Sequence, residues 1–176
     1  MKKYFSLLVI AASCFCISCN MKGGGPSATA QKNLDAMHGV NTCFDSKDFS
    51  KVGDYIADDA VDHAGDNGDV KGIANIKAQF EKWGASIETQ KTEVVKELAD
   101  DDYVMAWQRY TGKMKTDGMG YKAGESFEMQ AIEVAKFKDG KAIEHWSFMQ
   151  PSDMMAMMKK MQPMSMPAPP ADSTKK

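Results

Sequence analysis

What the chain lacks narrows its chemistry first. It holds one arginine, Arg109, among 22 basic residues. Surfaces that read bases or clamp phosphates rely on the guanidinium fork, which lysine does not reproduce. A formal net charge of −2 adds no electrostatic pull toward a polyanion, so no nucleic-acid partner is expected. Histidine is scarce as well: His38, His63 and His145 lie far apart, without the close spacing of a zinc site. No phosphate-cradling glycine loop, nucleotide motif or nucleophile triad is present. Neither a metal nor a cofactor is therefore expected for the domain. Cysteine is limited to Cys14, Cys16, Cys19 and Cys43. The first three crowd into the N-terminus, and a lone Cys43 makes no internal disulfide; among apolar neighbours it reads as a packing thiol.

The N-terminus supplies a compartment. Lys2 and Lys3 precede an apolar run, Tyr4–Ser18, which has the layout of a signal peptide over residues 1–18. It falls short of the ~20 apolar residues that a membrane span needs. The closing "CISCN" resembles a bacterial lipobox, with Ser18 just before Cys19. That resemblance implies cleavage before Cys19, lipidation of its thiol, and export to the bacterial cell envelope with a membrane anchor. Residues 19–29 are a glycine-rich tether. The other end, Met161–Lys176, holds four of the six prolines, so a Met/Pro-rich tail over 151–176 is expected to be largely disordered. The folded domain then covers 30–150.

Within it, Leu34, Met37, Val40 and Phe44 mark one helix face. Asp45 and Ser46 offer an N-cap to a second helix carrying Phe49, Val52 and Ile56. A short strand is expected at Ala60–Gly65, and a third helix carries Ile73, Ile76, Phe80 and Trp83. Four strands follow, over Ile87–Ala99, Tyr103–Met114, Ser126–Lys138 and Lys141–Met149, the last two joined by an Asp139-Gly140 hairpin turn. Helices followed by a run of antiparallel strands predict an α+β fold, with N-terminal helices in the concave face of a curved sheet.

The stretches "YIADDAVDHAG" (Tyr55–Gly65), "VKGIANI" (Val70–Ile76), "DDYVMAWQRYTG" (Asp101–Gly112) and "IEVAKFKDGKAIEHW" (Ile132–Trp146) resemble the SnoaL-like polyketide cyclase, or ester cyclase, family. The resemblance spans about the whole domain. It implies the cone-shaped fold shared with ketosteroid isomerases and nuclear transport factors. It also implies an acid/base carboxylate on the penultimate strand, where this chain has Glu133 in place of aspartate, and a pocket histidine at His63.

Counting pairs back from the two-residue turn places Phe137 opposite Ala142, Ala135 opposite Glu144 and Glu133 opposite Trp146. One face would then carry Met129, Ala131, Glu133, Ala135, Phe137, Ala142, Glu144, Trp146 and Phe148, an apolar cavity wall with two carboxylates roughly 7–8 Å apart at Cα. The other would carry Ile132, Val134, Lys136, Ile143, His145 and Ser147, where Ile132, Val134, Ile143 and His145 suit a homodimer interface. Glu133 is either the acid/base or polar anchor of the pocket, or a structural carboxylate held by its neighbours. His63 is either the second catalytic candidate or a solvent-facing or helix-capping histidine. Trp146, Glu144, Arg109, Tyr110, Trp107, Met129 and Phe148 are the candidate ligand contacts, with Arg109 and Tyr110 the expected partners of Glu133.

The function expected is capture of a small hydrophobic molecule by an envelope-tethered domain, with acid/base activity of a cyclase or isomerase type and no metal. The alternative is a non-catalytic interaction or dimerisation domain. One feature stands apart. Met154, Met155, Met157, Met158, Met161, Met164 and Met166 crowd the tail. Thioethers suit Cu(I); equally, a short end helix over Asp153–Met161 could pack its flexible methionines on the domain.

Overall fold

The chain is described by a computed structural model over residues 25–65 and 67–161. The expected signal peptide, Cys19 and residues 162–176 lie outside the described residues. Helix α1, Ala28–Ser46, begins where the Ser27 hydroxyl accepts the Ala30 N–H at 3.0 Å. It stops at Lys47, whose left-handed backbone (φ 56°) turns the chain aside. That break, together with the early start of the next strand, leaves the second helix a single turn, α2 (Val52–Tyr55), shorter than its apolar spacing suggested. Strand β1 runs Ile56–Asp62, four residues earlier than expected, because Ile56 and Ala60 are drawn into the core beneath α3. A two-residue strand β2 (Val70–Lys71) and helix α3 (Ile73–Ser86) follow. The long strands β3 (Ile87–Ala99), β4 (Tyr103–Met114), β5 (Ser126–Lys138) and β6 (Lys141–Met149) have the bounds expected for them. Helix α4, Pro151–Met161, then starts inside the segment expected to be a largely disordered tail.

The strands make one curved sheet in the order β2-β1-β6-β5-β4-β3. β3 to β6 form an antiparallel meander, and β1 joins β6 as the parallel pair. Leu34, Ala36 and Met37 of α1 pack on Val104, Ala135 and Phe137 of the concave face. Ile76 of α3 covers Val52, Ile56 and Ala60, and Trp83 at its far end packs on Ile87, Met114 and Phe127. Phe44, Phe49 and Phe80 bind the helices together, with ring centroids 4.6–6.0 Å apart. Cys43 is buried, and burial pushes its thiol up from its ordinary value, aided by Asp48 and Asp54. It is a packing residue. No described helix is long and apolar enough to cross a membrane.

The β5–β6 turn sets Asp139 at φ 55° and Gly140 at φ 79°, the paired left-handed geometry of a tight hairpin. Phe137↔Ala142 and Lys138↔Lys141 pair as counted from the turn. The next pair is Lys136↔Glu144, not Lys136↔Ile143. Ile143 is an extra residue, a β-bulge, and beyond it the register differs by one from the count. A slip of one residue moves every later side chain to the other face. Glu133 therefore lies opposite Ser147, and Ala135 opposite His145.

Candidate active site

The bulge brings His145 onto the concave face, where sequence counting put Glu144 and Trp146. There it meets two carboxylates on two other strands. Its Nδ1–H donates to Asp62 Oδ1 at 2.9 Å and its Nε2–H to Glu133 Oε2 at 3.0 Å. Asp62 comes from the end of β1, placed by the parallel pair Asp62↔His145. Glu133 comes from the middle of β5, between the buried residues Ala131 and Ala135. Two carboxylate acceptors require a donor at each ring nitrogen, which makes His145 an imidazolium. Burial alone would pull its pKa down; the hydrogen bonds and charges of Asp62 and Glu133 outweigh that and push it up to about 9. For Asp62, burial works upward, but the His145 hydrogen bond and charge and the Ala64 N–H hold its carboxyl below the ordinary value.

The remaining oxygen of Glu133 is also occupied. Oε1 accepts from the Tyr110 hydroxyl at 2.7 Å and from the Ser147 hydroxyl at 3.1 Å. Burial, then the Glu133 charge, pushes the Tyr110 phenol well above its usual range, so Tyr110 stays protonated and acts as a donor. Its oxygen also sits 2.6 Å from Gln108 Oε1, and the wholly buried Gln108 keeps Nε2 without a partner. A half-turn of that amide would put its N–H on the phenol oxygen, which has lone pairs to spare. The cluster Asp62–His145–Glu133–Tyr110 thus carries two negative charges against one positive. It is not sealed: Asp62 and Glu133 are buried, but the His145 side chain remains 31% exposed and Ser147 is exposed. Strand β1 ends at Asp62, so among the described residues no strand pairs with β6 beyond His145 on that side, and the site opens there.

Other sequence-predicted residues separate by face. Tyr110 and Met129 share the concave face with Glu133. Trp107, Arg109, Glu144, Trp146 and Phe148 lie on the convex face, the first two by the alternation of β4 and the last three by the bulge. Arg109, expected as a Glu133 partner, instead faces Glu93 and Glu128 at 3.4 and 3.6 Å. Trp107 donates its indole N–H to Gln130 at 2.8 Å. His63, the first residue past the end of β1, lies on the convex side. It stacks on Trp146 (centroids 4.9 Å apart) and places Nδ1 2.9 Å from Asp69 and Nε2 3.5 Å from Glu144. The structure does not bring His63 to Glu133.

Sequence reasoning missed His145 and Asp62 as site residues. A signal was present. The counted register put two carboxylates, Glu133 and Glu144, on an apolar face with a single expected cation, Arg109, so one buried charge stayed unbalanced. A slip of one residue exchanges that second carboxylate for a histidine and hands Glu144 to Lys136, 3.0 Å away.

Two cavities border this framework. A groove of about 530 Å³ between α1 and β3, lined by His38, Asp45, Thr92 and Glu97 among others, touches no residue of the cluster. A smaller cavity of about 110 Å³ lies between α4 and the concave face, lined by Tyr121, Met129, Met149, Ala156 and Met157. No residue of the cluster lines it either, but Met129 in its wall pairs across the sheet with Tyr110. Among the described residues no group of three or more His, Cys, Asp or Glu side chains is placed to hold a metal ion.

Comparison with known proteins gives a consistent picture. The sequence model of the SnoaL-like polyketide cyclase family matches residues 34–160. Among solved structures, a protein of Jannaschia sp. CCS1 assigned to the SnoaL-like polyketide cyclases is 18% identical, with a TM-score of 0.68 over 84% of this chain and 100% of that one. A SnoaL-like polyketide cyclase of Agrobacterium tumefaciens is 15% identical (TM-score 0.61; 72% and 97% covered). An LEH-like epoxide hydrolase of M. tuberculosis is 13% identical (TM-score 0.60; 77% and 89% covered). No curated protein sequence matches the chain. Identities this low establish the fold and leave the chemistry to the site.

Proposed function

The chain belongs to the SnoaL-like polyketide cyclase family, and from that premise we propose that it binds a small hydrophobic molecule at the open end of the cone and performs acid/base chemistry on it through Glu133 and His145. The observation that carries this reading is the Asp62–His145–Glu133 chain, buried at both carboxylates and open at the histidine. Glu133, fixed by three donors, is the base that takes a proton from carbon next to a carbonyl and returns it. His145, held as an imidazolium by Asp62, balances the charge that moves onto the substrate. The apolar walls near the opening, Met129, Met149 and Tyr121, suit a hydrophobic ligand. The cavity of about 110 Å³ is smaller than a ligand of several rings, so α4 moves aside when one binds.

Native mass spectrometry of the protein purified from its own host tests the binding half: a co-purifying apolar molecule supports it, and an empty protein counts against it. Glu133→Gln should abolish turnover of that molecule while leaving its binding within about tenfold. Unchanged turnover would remove Glu133 from the chemistry. The expected anchor forms part of the proposal: a lipid-modified N-terminal Cys19 by mass, and a soluble protein after Cys19→Ala.

A second reading has its own observation. Leu98, Met105, Trp107, Ile132 and Phe148 on the convex face are 42–64% exposed, in adjoining cross-strand rows. A face of this kind serves a non-catalytic dimerisation domain. Analytical ultracentrifugation of the wild type and of Trp107→Lys/Phe148→Lys decides it: a dimer that the double variant dissociates favours this role, and a wild-type monomer excludes it.

A further inference from the structure

From Pro151 to Lys176 every large apolar residue is methionine; no Leu, Ile, Val or aromatic residue occurs there. If these side chains served only to pack α4 on the domain, they would be covered. Most are not. The helix docks through Asp153, Ala156, Met157 and Lys160, which line the small cavity. The Lys160 ammonium sits 3.8 Å from the centre of the Tyr121 ring. That docking turns the opposite side of α4 outward, and Met154, Met155, Met158 and Met161 are 44%, 59%, 54% and 59% exposed.

The outward methionines are clustered. At about 100° per residue, all four fall within an arc of roughly 120°, and Met158 points between Met154 and Met155. Side chains one turn apart have Cβ atoms about 5–6 Å apart, and the unbranched thioether arm closes that gap by simple rotation. Leucine at these positions would give equal helix propensity and more apolar bulk. What methionine adds is a sulfur lone pair: a soft, neutral donor that favours Cu(I) over Zn²⁺ or Mg²⁺.

We propose that Met154, Met155 and Met158 form a surface site that binds one soft monovalent cation, Cu(I), through three thioether sulfurs, with Met161 one further turn along. Binding involves no redox step, since the ion enters and leaves as Cu(I). The site is separate from the Glu133 cluster and does not depend on the function proposed for it.

The test is an anaerobic competition titration of the purified protein with Cu(I) against a chromophoric Cu(I) chelator. It is paired with Ag(I), a redox-inert probe, read by the methionine methyl NMR signals. One equivalent should bind, shifting the methyl signals of Met154, Met155 and Met158. Met154→Leu/Met155→Leu/Met158→Leu should weaken it by at least about tenfold with the denaturation midpoint unchanged. Should that triple variant fold poorly, Met158→Leu alone, at the centre of the cluster, should still lower the affinity. The proposal is overturned if wild type binds no Cu(I), if the leucine variants bind it equally well, or if affinity follows Met164→Leu/Met166→Leu instead.

Discussion

The two faces of the β1–β6 pair use the same letters for different ends. Asp62, the last residue of β1, and His63 just after it, like Glu144 and His145 on β6, point to opposite sides of the sheet, so each face receives one carboxylate and one histidine. On the concave face Asp62 and His145 are joined by Glu133 between core alanines, and His145 is pushed up to about 9. On the convex face His63 meets Asp69 and Glu144, with Lys136 completing the chain. The Asp69 hydrogen bond and charge raise His63 too, but all its partners are solvated. Composition does not separate a proton-handling cluster from a surface ion chain. Burial does, because water screens the outer set and leaves the inner one to act at full strength.

The largest expected effect comes from exchanging the faces. Inserting one alanine between Ile143 and Glu144 brings back the register counted from the turn, with Ala135 opposite Glu144 and Glu133 opposite Trp146, and drives Trp146 inward while expelling His145. Loss of cooperative unfolding, read by circular dichroism and urea denaturation, is the expected outcome. A stable, folded insertion variant would show that the register beyond the bulge does not set the faces.

Next, His145→Ala should destabilise by roughly 3 kcal/mol, the low end for stranding buried charge because the ring is partly exposed. His63→Ala should cost clearly less, because its partners are screened by water. Equal losses in urea denaturation would erase the distinction between faces.

The pH profile discriminates further. The folded pKa of His145, about 9, lies above its ordinary 6.5. Its contribution to stability is therefore complete below 6.5 and lost as pH rises through about 9. Asp62 is lowered from 3.8, so its contribution is present above that value and lost as pH falls through the lower folded value. Unfolding free energy should fall between pH 6.5 and about 9 in the wild type and be nearly flat there in His145→Gln. NMR titration of Glu133→Gln should move His145 toward 6.5 while leaving His63 in place. The smallest effect belongs to Lys136→Ala, which removes the cation beside Glu144 and should leave the urea midpoint nearly unchanged, because water screens the pair.

Much of this architecture was legible in the residues. The four long strands kept their expected bounds because each is a β-rich run closed by a turn signal. The third helix held because its apolar period is strong. β1 and α2 were misplaced because long-range partners decide them: Ile56 belongs to β1 only once Ala142 is beside it. Glu133 was legible as a carboxylate in an apolar row, and Tyr110 as its neighbour. Asp62 was hidden because nothing local indicates that β1 will lie parallel to β6, and His145 because a bulge leaves no mark in a period of two.

That parallel pairing has a consequence for how the molecule assembles. Asp62 and His145 are 83 residues apart, while the β3–β6 meander is built from neighbours along the chain. Loop-closure entropy makes the distant strand the last to dock. The step that completes the sheet is the same one that delivers Asp62 to His145, and a chain still lacking β1 has no proton-handling cluster at all. Assembly of the cluster is thus coupled to completion of the sheet: each molecule that finishes folding carries the cluster whole.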